Sequence, residues 1–299
     1  MDDFAQFINL HLLPGVVVGC IYALGAIGIS LIFAILRFAH FAHGDVMTFG
    51  AYVAYTLTAT LGWSPYAALP VAILATAALA VAIDRVSYRP FRRSTGIIVV
   101  IASFGVMLTL RSAIQLIWGV GVLTYESGIR MPLTFFGVFR IQEKHIIIIL
   151  ATMAMVAALH LFLSRSRTGK AMRAMSDDAD LARVSGIDTE EIVRWTWIIG
   201  GGLAGAAGVF TGISTKLHPN MCWDLLLPLF AAAILGGIGR PYGAIVGGLV
   251  IGIAQEMATY PWFSAEPFID PAYKNAVAFF IMVAMLIWRP TGLFKGRVL

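Results

Sequence analysis

Few side chains in this sequence could do chemistry, and most of those interrupt apolar runs. Asp45 closes the stretch Arg37-Phe-Ala-His40-Phe-Ala-His43-Gly-Asp45, which separates two apolar segments with no long loop between them. A carboxylate at membrane depth is costly unless it is paired or faces a water-filled cavity, and at a helix start it could instead cap backbone N–H groups. His40 and His43 share a face only if their turn is helical. A metal there would need further ligands, and none lies close by in sequence, so no metal site is expected. Asp224, Gln255, Glu256 and Arg111 also fall in or beside apolar segments, where each should face a bundle interior or snorkel toward the interface. The chain has no Ser-His-Asp or His-Glu-x-x-His pattern, and Gly169-Lys170 is followed by alanine and lacks the upstream glycine of a phosphate-binding loop. It is therefore expected to be no enzyme and to hold no cofactor; if ATP drives it, ATP and Mg2+ belong on another subunit.

Membrane-crossing helices must position these residues. Of 299 residues, 59% are hydrophobic and only 12% charged, and the mean hydropathy is +0.85. A soluble domain of that length would need far more charge. Apolar runs of roughly 20 residues, enough to cross a ~30 Å hydrocarbon core as helix, recur along the chain. Only helices and closed barrels satisfy every backbone group in lipid, and these runs lack strand-like alternation. The expected fold is all-α, a polytopic transmembrane bundle in one domain over 1–299. Its spans fall near 13–36, 41–61, 66–84, 97–118, 145–163, 195–214, 224–238, 242–260 and 273–288. The seventh is short and reads as a half-helix or a full crossing, which makes eight or nine spans.

Basic residues set the orientation. Under strict alternation, Arg37, Arg85, Arg89, Arg92, Arg93, the cluster from Arg165 to Arg194, Arg240 and the tail residues Arg289, Lys295 and Arg297 share one side. The other side receives Arg130, Arg140, Lys144, Lys216 and Lys274. That predicts the N-terminus outside and the C-terminus in the cytoplasm. Asp2 and Asp3 stand where a basic n-region would be, so no cleavable signal peptide is expected. The net charge of +5 follows from this partition and calls for no nucleic acid. Cys20 and Cys222 suggest neither a disulfide framework nor a metal site, and Cys20 reads as a buried thiol.

The longest polar stretch, 164–194, holds a predicted helix over 177–185. Ser176 is its expected N-cap, Asp177, Asp178 and Asp180 occupy the dipole-favoured first turn, and Gly186 fits the left-handed residue that ends it. Ala179, Leu181, Ala182 and Val184 give it a weak apolar face. Such a helix either docks into a groove on a cytoplasmic partner or is a solvated connector. Asp45 and Asp224 each start a segment, and the two segments run in opposite directions, as an inverted repeat with discontinuous helices would leave them. Small-xxx-small pairs such as Gly201/Gly205, Gly208/Gly212 and Gly248/Gly252 are expected to let helix backbones approach closely.

Several of these runs together resemble a known family. Gly19-Cys-Ile-Tyr22-Ala-Leu-Gly25 and Phe41-Ala-His-Gly-Asp45, with Gly50-Ala51-Tyr52, resemble the opening of the permease subunits of ABC-type branched-chain amino-acid importers (high-affinity leucine, isoleucine and valine uptake). His40 replaces the usual asparagine. Gly169-x-Ala171-x-Arg173-Ala174 followed by Ala182-x-x-x-Gly186-Ile187 looks like the family's ATPase-docking loop, with Asp180 and Leu181 departing from the first two positions of its Glu-Ala-Ala-x-x-x-Gly signature. Leu203-Ala-Gly205-Ala-Ala-Gly208, Leu235-Gly-Gly-Ile-Gly239 with Tyr242-Gly-Ala, and Arg289-Pro-Thr-Gly-Leu293-Phe294 match at family-like intervals.

The resemblance implies an assembly in the lipid of the bacterial inner membrane. A homologous second permease would stand beside this one, two cytoplasmic ATPase subunits carrying ATP and Mg2+ would bind beneath, and a periplasmic substrate-binding protein would deliver the solute. Transport of branched-chain amino acids, or of urea, short amides or small carboxylates, would proceed by alternating access. Gly169, Arg173, Ala174, Ala182, Gly186 and Ile187 would carry the docking, and Asp45, Gly236, Gly237 and Gly239 would belong to the translocation pathway. Two other classes fit the composition: an ion-coupled carrier acting alone through Asp45, Asp224 or Glu256, and a membrane enzyme built on His40, His43 and Asp45.

Overall fold

The computed structural model describes residues 7–92, 94–125, 133–135, 139–262, 267–294 and 296. Asp2, Asp3, Arg93, Arg130, Lys295 and Arg297 lie outside them, as does the side chain of Arg140. Each predicted span is a helix: α1 (Leu13–Leu36), α2 (His43–Leu61), α3 (Pro65–Ile83) and α4 (Gly96–Trp118), then, after a short hairpin β1 (Leu133–Phe135) and β2 (Phe139–Ile141), α5 (Glu143–Arg165). The polar stretch folds as two short helices, α6 (Arg167–Asp177) and α7 (Ala179–Val184), followed by α8 (Thr189–Ser214), α9 (Trp223–Gly236), α10 (Pro241–Met257) and α11 (Lys274–Trp288).

Six of these helices are long and apolar enough to cross a membrane: α1, α3, α4, α5, α8 and α11, counted with their short helical extensions. α9 has 14 residues, about 21 Å of rise, which is short of a ~30 Å core. It is the segment the sequence leaves open between a half-helix and a full crossing. The ends follow local chemistry. Ser64 accepts from the Ala67 N–H and Pro65 opens α3, as suits an N-cap and a first helical position.

The chain forms two compact units, one of Met1–Ala26, Glu126–Ala154 and Leu227–Leu299, the other of Ile27–Tyr125 and Met155–Leu226. In the second, α2, α3 and α8 pack against one another around Ala54, Ala68, Ala72 and Val209. Small residues make this possible, since a Cβ on Gly208 would run into the Met47 carbonyl and one on Gly205 into Thr76. α4 instead turns Ile97, Ile101 and Leu108 outward, as a lipid-facing helix does.

In the first unit, α10 lies against α9 and the start of α1, with the Gly248 and Gly252 backbones on Ala23 and Gly19. Glu256 is paired with Lys274 at 2.7 Å, and Gln255 Nε2 donates to Asn275 Oδ1 at 3.1 Å. Cys20 is buried, as expected. The last carbonyls of α9 are taken by the tail of the same chain: the Leu293 N–H donates to Leu235 O at 2.9 Å and the Phe294 N–H to Gly236 O at 3.2 Å. Gly292 turns the tail at φ 73°, and a Cβ there would overlap Gly237. Gly292→Val is expected to destabilise the full chain by about 1–3 kcal/mol through the left-handed backbone alone. A lowered Tm in detergent would register it, and an unchanged Tm would contradict this role for the turn.

Candidate functional site

The polar stretch is built as a rigid corner. Ser166 Oγ accepts from the Gly169 N–H at 2.8 Å, so α6 starts directly after α5 ends. Gly169 is buried on the Phe162 and Leu163 backbone, where a side chain would not fit, and Met172 and Met175 point the same way. Arg173 and Ala174 face outward. The next helix is capped differently from the sequence expectation. Ser176 belongs to the end of α6, and Asp178 is the N-cap of α7, accepting from the N–H groups of Asp180 and Leu181 at 3.0 Å each. The single helix over 177–185 is thus corrected to a break at Asp178, because its extended backbone and carboxylate cap end one helix and start another.

Gly186 does end α7, at φ 85°. Its N–H bonds the Arg183 carbonyl and the Ile187 N–H bonds Ala182 O, both at 3.1 Å, so the freed carbonyls of the last turn are satisfied. Ala182 is buried, while Leu181 and Val184 are 64% and 86% exposed. Two apolar side chains held outward on a capped helix form a surface that water does not favour.

Arg37 holds this corner, and a second set of arginines ties the start of α8, which follows it, to the end of α3. Arg37, at positive φ (61°) just past α1, donates from Nη2 to the Ser176 carbonyl at 3.2 Å. That carbonyl lies in the last turn of α6, where no intrahelical donor remains. Arg92 binds Asp84 and, at 2.6 Å, Glu190 in the first turn of α8. Burial opposes its charge, but Asp84 and Glu190 outweigh that and hold its pKa above the ordinary arginine value. Arg89 adds a looser contact to Glu190 at 3.5 Å.

Asp45 is not the N-cap of α2, since that position is Ala42. Its carboxylate, 1% exposed, accepts from Arg111 Nε at 3.0 Å and Nη2 at 3.1 Å. The Trp223 ring lies 4.7 Å from the same guanidinium, a cation–π distance. Two polar residues singled out separately in the sequence are therefore one bidentate pair, Asp45 fully buried and Arg111 partly so. Asp224 is exposed, unlike Asp45. His40 is buried among Phe38, Tyr88 and Trp197, with ring centroids 5.0–6.1 Å away.

The family profile described as branched-chain amino acid transport system / permease component matches residues 12–286. The chain belongs to this permease family. It is 34% identical to the high-affinity branched-chain amino acid transport system permease protein BraD of Pseudomonas aeruginosa, over 96% of this chain and 95% of that one. It is 31% identical to the permease protein LivH of Escherichia coli K12, over 99% and 97%. Among solved structures, PsaBC from Streptococcus pneumoniae in complex with Fab shares the fold at a TM-score of 0.52 and 11% identity, covering 97% of this chain and 96% of that one.

Within the permease, the residues expected from sequence fall into three places. Gly169, Arg173, Ala174, Ala182, Gly186 and Ile187 all lie in or beside the α6–α7 corner. Asp45 lies in the buried pair. Gly236, Gly237 and Gly239 lie at the end of α9, with Gly237 and Gly239 at φ 105° and 84° and the backbone of Gly237 against Thr291 and Gly296 of the tail. Sequence reasoning missed Arg37, Asp84, Arg92 and Glu190 as struts and Trp223 as the cover on Arg111. Their partners are 98 or more residues away for Arg37 and for Arg92–Glu190, so no local pattern marks them.

Proposed function

We propose that this permease is the membrane subunit of an ATP-driven importer that moves branched-chain amino acids, or a related small solute such as urea, an amide or a small carboxylate, across the bacterial inner membrane. The N-terminus is outside and the C-terminus cytoplasmic. A homologous second permease completes the pathway, two ATPase subunits that hold ATP and Mg2+ bind on the cytoplasmic side, and a periplasmic binding protein supplies the substrate. The observation that carries this reading is the α6–α7 corner, tied through Arg37 to the segment just past α1 and presenting Leu181 and Val184 outward. ATPase closure against that surface moves the corner as a rigid body, and the Arg37 contact and the short connection into α8 pass the motion to the spans. ATP acts by binding one of the two states better than the other.

The buried pair weighs against an ion-coupled carrier. The Asp45 carboxylate is already paired with Arg111 through two hydrogen bonds, so a coupling proton or cation would have to compete with that guanidinium.

Gly186 tests the coupling role. It has nothing within 4 Å of an added Cβ, so substitution there acts through its left-handed backbone rather than by collision. Gly186→Val imposes strain of about 1–2 kcal/mol or more, enough to deplete the capped corner roughly tenfold. In vesicles holding the whole assembly, the variant is expected to reach wild-type membrane levels yet lose most ATP-dependent uptake. Wild-type uptake, or failure to insert, would count against the coupling role.

A further inference from the structure

The loops that follow α4 and α8 are stitched together at the end of α8 far from the α6–α7 corner. Leu123, after α4, and Leu217, after α8, exchange both backbone hydrogen bonds at 2.9 Å in an isolated antiparallel bridge. Each loop sends a side chain onto the same glycine. An added Cβ on Gly212 would meet the Tyr125 ring at 2.7 Å and Leu217 Cδ2 at 2.8 Å. The Tyr125 hydroxyl donates to the Ala51 carbonyl of α2 at 2.9 Å, and its ring packs on the core around Ala54 and Val209. Leu217 is fully buried. The second loop runs on through Cys222, whose carbonyl lies against Gly44, to Trp223, the cover on Arg111.

This closure is thin. Among the described residues, the bridge supplies the backbone hydrogen bonds that join loop 119–125 to loop 215–222. α4 is pinned at its last residue, where Trp118 Nε1 donates to Thr56 Oγ1 at 2.8 Å. Gly119 then leaves the helix at φ 83°, and an added Cβ on it or on Gly121 would have nothing within 4 Å. A pinned helix end followed by glycines in open space is a place where a loop can swing. A segment held by few bonds opens at lower cost than the packed helices beneath it.

We infer that these two loops are the outer gate of the permease. Swinging them off α8 withdraws Tyr125 and Leu217 from Gly212 and lifts Trp223 from Arg111, which opens a way from outside to Asp45 and Arg111. The gate rests on the importer reading and its orientation, which put both loops on the outer side. Alternating access needs a closure there that yields while the inner side is shut.

The test uses the full assembly in right-side-out vesicles loaded with ATP. Residues that exchange both hydrogen bonds hold their Cα atoms about 5.5 Å apart, within disulfide reach. Leu123→Cys/Leu217→Cys therefore locks the loops on oxidation and frees them on reduction. The reduced variant is expected to take up solute as wild type does. The oxidised one is expected to lose roughly tenfold or more of its uptake, since a permease held in one state cannot alternate, with ATPase binding unchanged. Equal uptake in the two states at full cross-linking would overturn the gate. A second readout leaves the loops intact. Cys222 is fully buried at the foot of the second loop, and in a Cys20→Ser background a membrane-impermeant maleimide added outside is expected to label it several-fold faster during turnover than at rest. Protection that never changes would overturn the gate even where the double variant fails to fold. Labelling that rises on an ion gradient with no ATPase present would sink the importer reading and keep the gate, so the two fail separately.

Discussion

Asp45→Ala is expected to destabilise the protein by about 3–5 kcal/mol, the cost of removing one partner of a buried ion pair. The carboxylate is almost fully buried and binds Arg111 through both oxygens. Without it the guanidinium keeps only the Trp223 face, and its N–H donors lose their acceptors in a low-dielectric setting. Removing both charges is a different experiment. Asp45→Ala/Arg111→Met leaves no stranded charge and is expected to recover a large part of the loss, because an ion pair's desolvation cost offsets much of its attraction. Thermal unfolding of the single and double variants in detergent checks this. A single variant as stable as wild type, or a double variant no better than the single, would mean that the pair does not hold α2 to α4.

The second large effect is on association rather than folding. Leu181→Glu/Val184→Glu places two charges on a surface that α7 holds outward, and both positions are exposed enough for the change to leave the fold alone. If this surface receives the ATPase, loss of two central apolar contacts is expected to cost about 2 kcal/mol or more, roughly thirtyfold in affinity. Binding of the purified ATPase to permease-containing membranes measures it. Affinity unchanged in the variant would move the docking surface elsewhere. Arg173→Gln is the milder companion, because an exposed charge at an interface rim carries little of the energy.

The helices were legible because lipid imposes a simple rule: long apolar runs, broken where polar residues cluster. Gly186 was legible for a local reason, since a glycine after a short amphipathic run closes a helix in the left-handed region. What escaped was non-local or ambiguous. Nothing near Asp45 names Arg111, 66 residues on; the sequence shows two costly groups, and only the fold brings them together. Ser176 and Asp178 are both good caps, and the choice falls to Asp178 because Met172 and Met175 bury one face of α6 and carry that helix through Ser176. α6 itself is too polar to stand out beside the spans, and its inward residues, Gly169, Met172 and Met175, become a pattern only when read at helical spacing. In sequence Arg37 is one more charge on the basic side; in the fold it also adopts a left-handed backbone and reaches the end of α6.

The central claim is that this permease moves solute by receiving work from a separate ATPase. Uptake of radiolabelled leucine into membrane vesicles that contain the chain with its candidate partner permease, ATPases and binding protein tests it most directly, with ATP supplied and then withheld. The account predicts uptake that requires ATP and vanishes when the ATPase is left out. Uptake that persists without the ATPase and follows an imposed ion gradient would contradict it.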